Sequence, residues 1–232
     1  IEGGIARSPG HCMTMGTAST MTAMAEVLGF SIPGASSVPA MDSNHQRLAA
    51  EAGRLAVNNA WDGPKPSDLA TRKSFENAIA VDMAIGGSTN AIVHLLAMAG
   101  RAGVELSLSD FDEISRKTPL ITDLRPSGKF LMEDFYFAGG LPAVLKRMES
   151  ILHMDLPTVN GKTLAENVVN SQVHNNEVIR TIEDPIAPDG GTTVLGGNLA
   201  PNGAVIKHSA ADPSLLKHSG PAIVFDNYKE LS

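Results

Sequence analysis

Apolar residues recur at helical spacing up to about Leu152, and each run is cut by glycine or proline; this pattern constrains the fold more than any other feature. Met21, Met24, Ala25 and Leu28 fall at i, i+3, i+4 and i+7, Gly29 stands where a helix stop wants a left-handed residue, and Pro33-Gly34 opens a loop. A first helix ending at Leu28 is expected. A second is expected from about Asn44 to Asn59, with Leu48, Ala52, Leu55 and Ala56 on one face. The segment Trp61–Pro66 breaks the period, and Ser74 reads as the N-cap of a helix through Ile79, Met83 and Ala84. After Gly86-Gly87 a fourth helix begins near Ser88–Asn90 and carries Ile92, Leu95, Leu96 and Ala99, small and apolar as in a buried helix. Ser109 with Asp112 resembles a capping box over Phe111 and Ile114. Leu120–Leu124 reads as a short strand, and Leu141, Val144, Leu145 and Met148 as a further helix.

Beyond Pro157 the texture changes. Short β-prone runs at Val178–Ile182, Thr193–Leu195, Ala204–Ile206 and Ala222–Phe225 alternate with turn clusters such as Pro188–Gly191 and Pro201–Gly203. The expected fold class is therefore α/β: a layered, helix-rich α/β domain over residues 1–157, then the beginning of a smaller β-rich domain over 158–232. The second piece is expected to be incomplete, because a handful of short strands rarely closes a stable sheet. The opening Ile1-Glu2-Gly3-Gly4, without an initiator methionine, and the stop at Ser232 soon after a strand-like run suggest a piece excised from a longer polypeptide.

Composition narrows the partners. With 232 residues, 43% of them apolar, the chain can bury a substantial core. A net charge of −7 without any Lys/Arg cluster excludes an extended nucleic-acid surface and favours small molecules. No apolar run reaches membrane-spanning length, and a single cysteine cannot form an internal disulfide, so a reducing, cytoplasmic setting is expected.

That cysteine, Cys12, sits in a loop bounded by Gly10 and Gly16 just ahead of the first helix. Unpaired backbone N–H groups and the positive end of a helix dipole favour a metal-ligating thiolate there. The competing reading is a small buried hydrophobe. Gly86–Asn90, at a helix N-terminus, offers N–H groups and hydroxyls to a carboxylate or phosphate, but it lacks the lysine of a phosphate loop and is equally a tight turn capped by Ser88. His11 reads as a positioning or packing residue. Asp42, Glu51 and Asp82 read as solvated helix-face carboxylates, and His45, His94 and His153 as surface or core-edge residues. Residue types leave three classes open: an enzyme, a non-catalytic small-anion-binding domain in which Cys12 is buried and structural, and a scaffold, the last disfavoured by loops rich in Gly, Ser, Thr and Asn where a scaffold needs only packing.

Longer stretches carry a resemblance. Cys12–Met21 followed by Leu28-Gly29 and Pro33-Gly34 resembles the cysteine-bearing segment of the dihydroxy-acid and sugar-acid (aldonate, phosphogluconate) dehydratase family. Ala84–Ala91 with His94-Leu95, Thr122–Lys129, Phe137–Pro142 and Leu195–Lys207 resemble the same family in the same order. The resemblance implies an iron-sulfur-dependent hydro-lyase that dehydrates a 2,3-dihydroxy acid, either an aldonate or a branched-chain dihydroxy acid, to a 2-oxo-3-deoxy acid. Such enzymes serve carbohydrate metabolism or amino-acid biosynthesis.

It also implies a [2Fe-2S] or [4Fe-4S] cluster with Cys12 as one ligand, Mg²⁺ at the substrate carboxylate, a barrel-like swivelling C-terminal domain, and a homodimer or larger homo-oligomer. The other cluster cysteines and most magnesium ligands would lie upstream of Ile1, and the catalytic base downstream of Ser232, so the piece by itself is expected to be inactive. Thr14, Thr17, Ser88 and Thr89 are the candidate hydroxyl donors to substrate, and the wording Met15–Met21 leans toward the aldonate branch.

Overall fold

The computed structural model describes residues 12–231. Its helices are α1 (Thr17–Val27), α2 (Ser43–Asp62), α3 (Pro66–Leu69), α4 (Arg72–Ala84), α5 (Asn90–Ala102), α6 (Leu108–Lys117), α7 (Met132–Phe137), α8 (Gly140–Arg147), α9 (Leu164–Val168) and α10 (Tyr228–Leu231). Two strands, β1 (Thr193–Gly197) and β2 (Ala200–Ile206), pair antiparallel with Thr193 opposite Ile206 and Leu195 opposite Ala204. A helix-rich chain with one small antiparallel sheet is compatible with the α/β expectation.

α1 ends where the sequence predicts. Gly29 has φ +85°, its N–H bonds the Glu26 carbonyl, and the Phe30 N–H bonds that of Ala25, the two closing bonds of a Schellman stop. The helix also buries an acid: Glu26 accepts from the Gly34 and Ser36 N–H groups at 2.6 and 2.9 Å, so it pins the following loop.

α4 is the centre of the molecule. Every residue from Asn77 to Ala84 is buried, and Phe75, Ile79 and Met83 join Phe111, Phe135, Leu95, Ile121 and Leu141 in one core. Leu164, Val168, Val178 and Ile179 belong to the same core, so its packing continues past Pro157. Fully burying a side chain of this size contributes about 1.5–3 kcal/mol, which makes α4 the firmest element. Its N-cap is Thr71, with Ser74 at the third helical position. The Thr71 N–H bonds Ser74 Oγ and the Ser74 N–H bonds Thr71 Oγ1, a reciprocal box that corrects the expectation of Ser74 as the cap.

Packing corrects two further expectations, at α5 and at the cap of α6, and leaves α2 open. α2 forms, with Asp42 accepting from the Asn44 N–H as its cap, yet none of its residues is buried: Leu48 and Leu55 are half-buried, while Ala52 and Ala56 are exposed. Its apolar face borders an open groove shared with Phe30, Ile32, Ala35 and Val159. α5 buries only the stripe Ala91, Ile92, Leu95 and Ala99 and leaves Val93 and Gly100 exposed. The capping box of α6 begins two residues earlier than expected: Ser107 offers both its N–H and its hydroxyl to Asp110 Oδ2, at 2.7 and 2.9 Å.

β1 and β2 contain the predicted runs Thr193–Leu195 and Ala204–Ile206. Leu120–Leu124 and Val178–Ile182 meet only at the single bridge Thr122–Ile179, closed by the Arg180 N–H on the Ile121 carbonyl and the Asp123 N–H on the Val178 carbonyl, while the Ile121 N–H bonds the Ala84 carbonyl at the end of α4 and Leu120 pairs with Ala187. Ala222–Phe225 is exposed and unladdered. Among the described residues no helix is long and apolar enough to cross a membrane.

Candidate functional site

The segment before α1 alternates in burial: Met13 and Met15 point inward, Cys12 is exposed and Thr14 is half-exposed. Backbone bonds hold it in place. The Met132 N–H donates to the Met13 carbonyl and the Met15 N–H to the Arg125 carbonyl, at 2.9 and 2.8 Å. The period-two pattern thus anchors both methionines in the core and leaves the thiol facing out, which corrects the buried-hydrophobe reading of Cys12. Its sulfur lies 3.6 Å from Thr14 Oγ1 and 3.7 Å from the Thr14 carbonyl, and Ser19 Oγ donates to that same carbonyl at 3.0 Å. His11 lies outside the described residues.

The start of α1 is stitched to the start of α5. Thr17 Oγ1 and Ser88 Oγ are 3.1 Å apart, Asn90 Nδ2 donates to Thr17 Oγ1 at 2.7 Å, and the Ser88 N–H donates to Thr20 Oγ1 at 3.0 Å. Ser88 Oγ also accepts from the Asn90 N–H at 3.2 Å, so it acts as a cap although Thr89 holds the N-cap position. All four candidate hydroxyls, Thr14, Thr17, Ser88 and Thr89, belong to half-exposed residues. The structure therefore joins the cysteine segment to the Gly86–Asn90 turn through Thr17 and Thr20, although they are far apart in sequence.

Beneath the turn lies Asp82, 3% exposed, whose Oδ1 is buried without a hydrogen-bond partner. A Cβ added to Gly87 would stand 2.0 Å from that oxygen, so only glycine lets the turn settle onto the carboxyl. Burial pushes the Asp82 acid up to about 8, opposed by the charge of Lys207. Burial pushes Lys207 down, opposed in turn by Asp82. Lys207 Nζ donates to the Gly86 carbonyl at 2.6 Å. Asp82 is thus not a solvated helix-face acid. The signal was present: it falls three and four residues after Ile79 and Ala78, on the apolar stripe. Lys207 ends the family-like stretch Leu195–Lys207, but nothing local marks a lysine as turning inward.

The remaining candidates stand apart. Asp42 caps α2, Glu51 pairs with Arg54 on its exposed surface, His45 and His94 are exposed, and His153 Nε2 sits 3.0 Å from Glu76 Oε2. Among the described residues no group of three or more His, Cys, Asp or Glu is arranged to hold a metal ion. Cys12 fits as one exposed sulfur donor, and a cluster needs several.

An exposed thiol just ahead of α1 and a hydroxyl-lined turn at the start of α5 thus stand on two helices that their own hydrogen bonds join. The dihydroxy-acid/6-phosphogluconate dehydratase N-terminal model matches residues 1–167 and the C-terminal model of the same family matches residues 177–232; the chain belongs to that family. It is 53% identical over 229 residues to an L-arabonate dehydratase of Azospirillum brasilense, covering 97% of this chain and 39% of the relative. It is 49% identical over 220 residues to a dihydroxy-acid dehydratase of Acetivibrio thermocellus, covering 94% and 40%. It is 44% identical over 235 residues to a 6-deoxy-6-sulfo-D-gluconate dehydratase of Pseudomonas putida, covering 100% and 41%. The chain spans about 40% of the length of the curated relatives it matches.

Proposed function

We propose that this chain forms part of a hydro-lyase that dehydrates a 2,3-dihydroxy carboxylic acid to a 2-oxo-3-deoxy acid. The observation that carries the reading is the exposed Cys12 thiol, held just ahead of the helix whose start bonds the Ser88 turn. In such a reaction a proton leaves C2, hydroxide leaves C3, and the resulting enol takes a proton at C3 to become the 2-oxo acid. Bound with Cys12 as one ligand, an iron-sulfur cluster would supply a Lewis-acidic iron for the departing hydroxyl, and Mg²⁺ would stabilise the developing enolate. The other metal donors and the base would come from polypeptide beyond these residues. Ser88, Thr89 and Thr14 would bind substrate oxygens. Thr17 and Asn90 orient the Ser88 hydroxyl through the bonds already described.

We further infer an aldonate as the substrate. Distal hydroxyls need donors and acceptors where a branched alkyl chain needs an apolar wall, and the Thr14, Ser88, Thr89 and Asn90 surface is polar. The β1–β2 hairpin would open a barrel-like domain that swivels against the helices, in a protein working as a homodimer or larger homo-oligomer. The small-anion module with a buried structural cysteine loses support, since the thiol is exposed.

The test is Cys12→Ser in the intact protein, prepared anaerobically. Iron per chain and 2-oxo acid formation are measured on a panel of aldonates and branched dihydroxy acids. Iron and turnover both fall in the variant if the reading holds, with aldonates the better substrates of the wild type. Full turnover in Cys12→Ser, or an intact wild type without iron, overturns it.

A further inference from the structure

Lysines at strand ends ordinarily run their stems along the surface and keep the ammonium in water. Lys207, the residue after β2, is half-buried and turns inward to donate to the Gly86 carbonyl at 2.6 Å. The backbone around it is docked on the C-terminal end of α4. The Ser209 N–H donates to the Gly191 carbonyl at 3.3 Å, the Gly191 N–H to that of Met83 at 3.1 Å, and His208 Nε2 lies 2.7 Å from the Gly190 carbonyl. Gly86 and Gly87 are buried, so a carbonyl there needs a donor from the protein, and a charge-assisted bond is the strong way to supply one.

The Gly86–Asn90 turn is therefore held from three sides. Asp82 lies under Gly87, Thr20 Oγ1 takes the Ser88 N–H, and Lys207 grips the Gly86 carbonyl from the far end of the chain. We propose that Lys207 is a positioning residue for the dehydration: it clamps the turn so that Ser88 and Thr89 keep their place relative to the cysteine-bearing start of α1. The proposal rests on the dehydratase reading above. In the arrangement seen here the end of the hairpin, in the part matched by the C-terminal family model, supports hydroxyls carried by the N-terminal part, so a swivel of the hairpin's domain would make or release the clamp.

The test uses the intact protein with Lys207→Met, which keeps the apolar stem and removes the donor, Lys207→Gln, which is too short to reach, and Lys207→Arg, which still donates. In Met and Gln kcat falls about tenfold or more, because a small displacement of a substrate-holding group is costly. KM moves less than kcat, iron per chain stays at the wild-type level, and amides 86–90 exchange faster with deuterium. Arg restores most of the rate. If Met does not fold, Gln and Arg carry the comparison. Wild-type kcat and unchanged exchange in Met and Gln overturn the proposal, and so does an Arg variant no better than Gln. If the wild type dehydrates none of the acids, the functional reading fails separately. Faster exchange at 86–90 in Lys207→Met then still supports the clamp, and unchanged exchange overturns it.

Discussion

Asp82 shows how a single buried acid writes itself into stability. Below pH 3.8 folded and unfolded chains both hold its proton; between there and about 8 the unfolded chain releases it while the folded one keeps it. Stability therefore falls with rising pH across that window, by at most about 1.4 kcal/mol per unit, and the loss is complete above the folded value. Glu26, also pushed up by burial, adds a fall of the same sign starting near its ordinary value. Asp82→Asn carries no proton to release, so its unfolding free energy, measured by urea titration from pH 5 to pH 8, declines less steeply than that of the wild type. Equal slopes would refute the assignment. The same residue marks the limit of reading acids from sequence: its place on an apolar stripe was visible, but the Gly87 backbone resting on its oxygen was not.

At the scale of elements, α2 and α4 make a natural contrast. Both carry helical periodicity, yet α4 is buried from Asn77 to Ala84 and α2 buries nothing, with Trp61 83% exposed at its end. Opening α2 breaks little packing, whereas opening α4 dismantles the core, so native-state hydrogen exchange of this chain will release the α2 amides well before those of α4. Protection in α2 equal to that in α4 would contradict this. Helix stops and starts were legible to different degrees for a physical reason. Gly29 ends α1 because only glycine readily takes its left-handed backbone, a local property. Ser74 and Ser109 satisfy the cap pattern as well as the actual caps Thr71 and Ser107, because several serines and threonines stand near each helix start and packing selects among them.

For the whole molecule, one thiol limits the chemistry. With a single cysteine and no described group of three metal-ligating side chains, the 232-residue chain will neither develop visible iron-sulfur absorption after anaerobic reconstitution nor dehydrate an aldonate. Turnover by the isolated chain would sink that expectation. What the sequence determined without help was local or patterned: the helical texture up to Leu152, the stop at Gly29, the β1–β2 runs, and the ordered motifs that the family models match from residue 1 to 167 and 177 to 232. What only the tertiary structure decided were relations between distant segments. Thr17 meets Ser88, Lys207 reaches Gly86, Ile121 links Ala84 to Arg180, and Cys12 faces outward because Met13 and Met15 are drawn into the core. Periodicity and turn chemistry are properties of neighbours along the chain. Burial, and the hydrogen bonds that burial demands, depend on what the rest of the chain brings alongside.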